Sequence, residues 1–361
     1  MQTNPYISAI RPYQPGKPIE EVEREYGLHA IIKLASNENA LGPSPQALLA
    51  AQKALMRSAL YPDSRSFTLV QKLAEGHALP HDHFMIGTGS DQLFMLLALV
   101  LLNTQANAVI SEYTFPTYAI AVHSVGAELR IARASSNLGH SVDHLLEAVD
   151  PSTRVIFLDN PNNPIGSYLP GREIERLLQS LPPDVVVVLD EAYYDFVDAP
   201  DYVSGLEYIG RYPNLIVTRT FSKAYGLAGL RIGYGVSHPP LIELMKRVRL
   251  PFSVSHVALA AAEAALSDTE HLAKTRALIW TERPTLAKNL AQCLPLVLPG
   301  AGNFITARTP IPAQDLFQRL LERGIIIRPL GAMGLPDFIR VTVGLPDENR
   351  TFLNALKSVL E

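Results

Sequence analysis

Sulfur chemistry is nearly absent from this chain: its 361 residues include one cysteine, Cys293. A single thiol makes no intrachain disulfide and no Cys-rich zinc site, so neither a disulfide framework nor a thiolate metal centre is expected. Charge is also scarce. Asp, Glu, Lys and Arg make up 18% of the residues, below the roughly 25% of average soluble chains, as a chain with a large subunit interface would show. The 31 basic residues are outnumbered by 35 acidic ones, a formal net charge of −4, which argues against a nucleic-acid-binding face. Long apolar runs are missing too. The longest, residues 93–102, is about half of what a bilayer crossing requires. The N-terminus lacks a basic segment followed by an apolar one, so no secretory signal is expected. These absences predict a cytoplasmic protein with no membrane and no nucleic-acid partner.

What is present is a hydrophobic share of 47% and 28 prolines. The length suggests about two domains. Residues 1–45 begin with Pro5, Pro12, Pro15 and Pro18, and proline is excluded from helix interiors and central strands. This segment is expected to be an arm that packs on the C-terminal domain or on a partner subunit, with one short polar helix near residues 20–26. Over residues 46–250 short apolar runs alternate with segments of helical period. They include Phe84-Met85-Ile86-Gly87, Ala108-Val109-Ile110-Ser111, Val155-Ile156-Phe157-Leu158-Asp159, Val185-Val186-Val187-Val188-Leu189-Asp190 and Leu215-Ile216-Val217-Thr218. Such alternation predicts an α/β fold, a large domain whose mostly parallel sheet is flanked by helices. After residue 250 the pattern becomes a smaller α+β domain, 251–361. It opens with a helical stretch over 255–294 that Pro284 is expected to kink or split.

In open α/β sheets ligands bind beyond the carboxyl ends of the strands, and four predicted strand ends carry polar clusters. Gly87-Thr88-Gly89-Ser90-Asp91 opens a helix, where free N–H groups suit a phosphate. Asp159-Asn160-Pro161-Asn162-Asn163-Pro164-Ile165-Gly166 is a rigid turn bearing amides. Asp190, after five apolar residues, needs a partner, since an unpaired buried carboxylate is costly. Thr220-Phe221-Ser222-Lys223-Ala224-Tyr225-Gly226-Leu227-Ala228-Gly229-Leu230-Arg231 places two hydroxyls, a lysine and an arginine on one loop. Together the clusters call for a ligand with a phosphate, a ring nitrogen, a phenolic oxygen and a carbonyl that Lys223 can trap. Pyridoxal 5'-phosphate meets these demands.

The chain resembles the fold-type-I pyridoxal-phosphate aminotransferases, and among them the histidinol-phosphate aminotransferase family. The motifs that carry this are Ser36-Asn37-Glu38-Asn39-Ala40-Leu41-Gly42-Pro43, Tyr61-Pro62-Asp63, the Asn-Pro-Asn-Asn-Pro run, Asp190-Glu191-Ala192-Tyr193 and the Lys223 loop. The resemblance implies that Lys223 is the Schiff-base lysine and proton shuttle, and that Asp190 pairs with the ring nitrogen. It assigns Asn163 and Tyr193 to the phenolic oxygen and Phe115 to stacking on the ring. Gly89, Ser90, Asp91, Thr220, Ser222 and Arg231 would line the cofactor phosphate. Tyr61 would reach that phosphate from a neighbouring subunit, which makes a homodimer with shared sites. Tyr13, Asn39, Arg328 and Arg340 are expected on the substrate side, the two arginines holding a phosphate dianion that also defines the carboxylate site of the oxo acid. The implied reaction transfers the amino group of histidinol phosphate to 2-oxoglutarate. Other expectations within the fold are an aromatic or broad-specificity aminotransferase and a phosphothreonine decarboxylase; a cofactor-sensing regulator would need a DNA-binding module that the sequence does not offer. Two positions depart from the family pattern: Ile165 replaces a threonine, where a lost hydroxyl would loosen the turn, and Ala40-Leu41 stands where Pro-Tyr is common, which would alter the substrate wall. Clustered His77, His81 and His83 are expected on a surface loop, and no metal site is expected.

Overall fold

The computed structural model describes residues 5–10, 12, 16–28 and 30–361. Helix α1 (Ile19–Tyr26) and strand β1 (Ile32–Lys33) come first, followed by α2 (Pro45–Leu55) and α3 (Phe67–His77). Strands and helices then alternate: β2 (Phe84–Gly87), α4 (Ser90–Leu101), β3 (Asn107–Ser111), α5 (Thr117–Ser124), β4 (Glu128–Ala132), α6 (Val142–Ala148), β5 (Thr153–Asp159), α7 (Gly171–Ser180), β6 (Val186–Asp190). After β7 (Leu215–Thr220), β8 (Gly233–Ser237) and α8 (Pro239–Val248) come α9 (His256–Ser267) and α10 (Thr269–Leu290). The chain closes with β9 (Leu296–Val297), β10 (Phe304–Arg308), α11 (Ala313–Leu321), β11 (Ile325–Ile326), β12 (Arg328–Pro329), β13 (Phe338–Thr342) and α12 (Pro346–Leu360).

Strands β2 to β8 form one sheet in the order β2-β8-β7-β6-β5-β3-β4. Only β8 runs against its neighbours, β2 and β7; the pairs from β7 to β4 are parallel. Alternate side chains of a strand face opposite sides, and the central strands show it. Ile156, Leu158, Val187, Leu189 and Val217 enter one apolar cluster, while Val155, Phe157, Val186, Val188 and Ile216 enter another on the opposite face. Both faces are therefore dry, which explains the unbroken apolar runs of a buried parallel sheet. The chain leaves β3 for β4 on one side and returns to β5 on the other, so the strand order reverses there and opens a crevice at the carboxyl ends.

The second unit is a four-stranded sheet in the order β12-β13-β10-β9, packed with α10, α11 and α12 around Ile279, Phe304, Leu316, Ile339 and Phe352. The arm reaches it through β1, which pairs in parallel with β11. Helix α9 packs on the large sheet's side: Ala258, Ala261, Ala262 and Ala265 share a cluster with Ala47 and Leu73. The helical stretch over 255–294 is split, but at Asp268 rather than at Pro284. Asp268 caps α10 by accepting the His271 N–H at 3.2 Å, and Pro284 lies inside the 22-residue α10. His77 is not on a surface loop. It closes α3, and its Nε2 lies 3.1 Å from the Tyr234 hydroxyl.

A buried ion pair braces the strand ends. Glu191 accepts from Arg219 Nε and Nη2 at 2.9 and 2.7 Å and from the Gly205 N–H at 2.6 Å. Such satisfaction is what a charge buried at this depth requires.

Candidate active site

The strand ends converge on a cavity of about 250 Å³, lined among others by Ser90, Asp91, Phe115, Asn163, Asp190, Tyr193, Thr220, Ser222, Lys223, Arg231, Arg328 and Arg340. Twelve of the sixteen residues singled out from sequence thus meet in one place. Ser36, Glu38, Asp159 and Met333 line it as well.

At the floor, Asp190 is buried at the end of β6. Its Oδ2 accepts the Tyr118 hydroxyl at 2.8 Å and its Oδ1 the Thr218 hydroxyl at 3.1 Å. Burial nevertheless pushes its carboxyl up to about 7, and the nearby Asp159 adds to the rise while the Tyr118 bond opposes it. A carboxylate so poorly compensated suits a cationic ligand group.

Lys223 follows β7 on the loop after Thr220. Its Nζ donates to the Ser36 carbonyl at 2.9 Å. Burial, with the Arg340 and Arg231 charges assisting, lowers it to about 8, against the pull of Glu38. About a tenth of its amine is therefore in the neutral, nucleophilic form at pH 7, far more than for an ordinary lysine. Tyr193 is buried beside it, and its oxygen accepts from Asn37 Nδ2 at 2.9 Å; burial drives the phenol up to about 12.

The anion cradle lies at the start of α4. Gly89 precedes that helix with φ +76°, and a Cβ there would meet Arg231 Nη2 at 2.6 Å. Only glycine allows both this backbone and the close guanidinium. Arg231 Nη2 donates to Asp91 at 3.1 Å, and its Nη1 reaches the Ser222 hydroxyl at 3.4 Å. The Thr220 hydroxyl donates to Ser222 Oγ at 2.9 Å. Burial raises the Asp91 carboxyl, with Arg231 opposing. Free N–H groups of α4, two hydroxyls and a guanidinium make a phosphate seat.

Across the cavity, Arg328 and Arg340 are register partners on antiparallel β12 and β13, so their side chains share a face. Arg340 Nη1 donates to Asn163 Oδ1, and its Nη2 to the Ala35 carbonyl at 2.9 Å. Phe115 forms a wall, edge-on to Tyr118 with ring centres 5.7 Å apart.

Three expectations fall elsewhere. The Asn39 amide does not line the cavity; it donates to the Ala224 carbonyl at 2.9 Å and to Thr275 Oγ1 at 3.1 Å, and so ties the lysine loop to α10. Tyr61 is 81% exposed and stacks on Phe252 at 4.7 Å, outside this chain's own cavity. Tyr13 lies outside the described residues. Of the departures, Ile165 does not loosen its turn. It is buried against Leu298, Leu330 and Leu335, and its N–H donates to Asn162 Oδ1 at 2.9 Å. Ala40 and Leu41 do not belong to the lining. Sequence reasoning missed Asp159 and Tyr118. Asp159 carried the same signal that singled out Asp190, an acid closing an apolar strand. Among the described residues no group of three or more His, Cys, Asp or Glu is placed to hold a metal, and no helix is long and apolar enough to cross a membrane.

Residues 29–356 match the family described as aminotransferase class I and II. The histidinol-phosphate aminotransferase 1 of Thiobacillus denitrificans is 47% identical over 358 residues, covering 99% of this chain and 93% of that protein. A histidinol-phosphate aminotransferase of an Anaeromyxobacter species is 44% identical, covering 99% and 98%. The crystal structure of histidinol-phosphate aminotransferase from Sinorhizobium meliloti in complex with pyridoxal-5'-phosphate superposes with a TM-score of 0.92 at 31% identity, covering 99% and 97% of the two chains. The chain belongs to the class I and II aminotransferases and, within them, to the histidinol-phosphate aminotransferase family.

Proposed function

We propose that the chain catalyses pyridoxal-phosphate-dependent transamination, taking the amino group from histidinol phosphate and giving it to 2-oxoglutarate, with imidazole acetol phosphate and glutamate as products. The cofactor fits the residues present. The buried Asp190 suits a protonated ring nitrogen, the cradle that a Cβ at Gly89 would fill suits the phosphate, and Lys223 has an amine lowered to about 8. Asn163 and Tyr193 stand to bind the phenolic oxygen. When bound, pyridoxal phosphate supplies the carbonyl that carries the amino group and a ring that takes up the electron pair left by the lost α-proton.

The chain's residues do the rest. Neutral Lys223 Nζ would take the proton from the α-carbon of the amino donor and hand it to the carbon that the cofactor's carbonyl contributes, so one group serves as base and then acid. Asp190 holds a proton at the ring nitrogen in a dry site, where its charge acts at full strength. Phe115 and Asn163 hold the reacting plane in place.

The observation that carries the substrate reading is the Arg328–Arg340 pair. One guanidinium suffices for a carboxylate; two side by side suit a phosphate dianion. Arg328→Gln is expected to lower kcat/KM for histidinol phosphate about 10- to 100-fold, the loss of one charge-assisted contact, with a much smaller change for phenylalanine. Single-turnover absorbance of the loaded enzyme with each donor reads this. Equal losses on both donors, or a wild-type preference for phenylalanine, would move the assignment to the aromatic aminotransferases.

The working unit under this reading is a homodimer. Met56, Leu60, Tyr61 and Leu250 are at least 60% exposed, and Tyr61 stacks on Phe252; large apolar side chains exposed in this way suit a protein interface. Tyr61→Phe is expected to weaken cofactor binding if its hydroxyl reaches the partner's site, and sedimentation should give twice the chain mass. A monomer that turns over at full rate would end this reading.

A further inference from the structure

Asp159 closes β5 as Asp190 closes β6, and the two are register partners on adjacent parallel strands. Both are buried. Two neighbouring buried carboxylates repel unless donors compensate them. Asp159 has four donors. The Thr114 hydroxyl at 2.5 Å, His140 Nε2 at 3.0 Å and the Asn162 amide at 3.2 Å reach Oδ1, and the Asn163 N–H reaches Oδ2 at 2.7 Å. Asp190 has the two hydroxyls already described.

The imidazole orients this set. His140 Nε2 faces Oδ1 and also the Asp159 main-chain oxygen, at 2.9 Å. Asn162 Nδ2 also lies 3.1 Å from this nitrogen, but its hydrogens go to the Tyr113 carbonyl and Asp159 Oδ1, so the two acceptors place the imidazole hydrogen on Nε2. Nδ1 is buried with no partner among the described residues, and a hydrogen there would be an unsatisfied donor. Asp159 therefore accepts at all four contacts.

The donors come from the segments that build the ring walls. Thr114 precedes Phe115. Asn163 carries the amide that meets Arg340. Asn162 spans the two, since its amide also donates to the Tyr113 carbonyl at 2.9 Å. We propose that Asp159 is a positioning residue of the cofactor site: it ties the Phe115 wall to the Asn163 turn, and its charge, one strand over, strengthens the hold of Asp190 on the proton of the ring nitrogen. This rests on the cofactor reading above. The other groups around Asp190 are Tyr118 from α5, Asp91 from α4, Tyr193 three residues on, and Lys223 and Arg340 across the cavity. Asp159 and Asp91 both raise the proton affinity of Asp190, after burial.

The test uses cofactor-free full-length protein and two readouts besides turnover: the dissociation constant for pyridoxal phosphate, and the pH midpoint of the stability change linked to Asp190. Asp159→Asn should weaken cofactor binding about tenfold or more and lower that midpoint by about half a pH unit or more. Thr114→Val keeps the charge, so it should weaken binding less and leave the midpoint in place. Wild-type affinity and midpoint in Asp159→Asn would overturn the inference. So would a midpoint moved equally by Thr114→Val, because packing alone would then explain it. If Asp159→Asn does not fold, Thr114→Val and His140→Gln decide: weakened binding in either supports the positioning role, and unchanged affinity in both removes it. A wild-type protein that binds no pyridoxal phosphate would instead sink the cofactor reading itself.

Discussion

Lys223→Ala is expected to lower turnover by about four orders of magnitude or more while the fold persists. General acid–base catalysis alone contributes about 10²- to 10⁴-fold, and loss of the covalent tether to the cofactor adds to it. The fold should tolerate the change, because among the described residues the Nζ makes one hydrogen bond, to the Ser36 carbonyl. Burial even makes the ammonium a cost. The amine falls from 10.5 in the unfolded chain to about 8 in the folded one, so the unfolded state binds more protons between these values and stability rises with pH there. Below about 8 the native lysine destabilises the cofactor-free protein by up to about 3 kcal/mol, and alanine removes that term. The variant should melt no lower than wild type at pH 7. A linked result concerns capture of pyridoxal phosphate by the wild-type apoprotein, which needs a neutral amine. Its stopped-flow rate should climb with pH and level off above about 8. A rate still rising tenfold per unit between pH 9 and 10 would return Lys223 to an ordinary lysine, and normal steady-state rates in Lys223→Ala would remove it from the chemistry.

The strand ends explain why so much of the site was legible. In a parallel sheet the central strands are dry on both faces, so their sequences are apolar until the chain leaves the sheet. The first polar residue after the apolar run then marks the ligand edge, as at Asp159 and Asp190. Local runs also fixed the Gly89 turn, because its backbone and the Arg231 guanidinium leave no room for a Cβ. What was not legible depends on contacts between distant segments. Asn39 has a polar side chain in a motif near the site, yet its partners are Ala224 and Thr275, 185 and 236 residues away. Proline is the evident breaker in the helical stretch at Pro284, whereas Asp268 ends one helix and caps the next. Proline removes one hydrogen bond that α10 does without, but a side-chain cap sets where a new helix starts. The pairing of β1 with β11 joins residues nearly 300 apart and leaves no mark in either two-residue strand. Tyr61 shows the remaining gap: it is 81% exposed and stacks on Phe252, outside its own chain's cavity, so the role the motif implies for it is not built by this chain's own fold.

Asp190→Asn should move the stability of the protein in opposite directions with and without cofactor. In the cofactor-free protein the carboxyl is raised from 3.8 to about 7, chiefly by burial. A raised acid contributes stability that is present below its unfolded value and lost as pH rises through the folded one. Wild-type apoprotein should therefore weaken between about pH 4 and 7, by up to about 4 kcal/mol. Asparagine carries no charge and should flatten that slope. Its amide oxygen can still accept one of the two hydroxyls, from Tyr118 or Thr218, but the NH₂ then faces the other, so the net gain at pH 8 should be nearer about 2 kcal/mol. With pyridoxal phosphate bound the balance reverses. The carboxylate then has a cationic partner, and removing it costs a charge-assisted hydrogen bond worth about 1.5–3 kcal/mol in affinity. It also leaves the ring nitrogen without a counter-charge as the electron pair arrives, a loss comparable to that of an oxyanion-hole donor, about a hundred- to a thousandfold in kcat. Thermal melts at pH 5 and pH 8, with and without cofactor, separate these effects. A variant that melts lower than wild type under all four conditions would show that Asp190 serves the fold more than the ring. A variant with higher apo stability, weaker cofactor binding and reduced kcat would show that this carboxylate is kept at a cost to the empty protein because the reaction needs it charged.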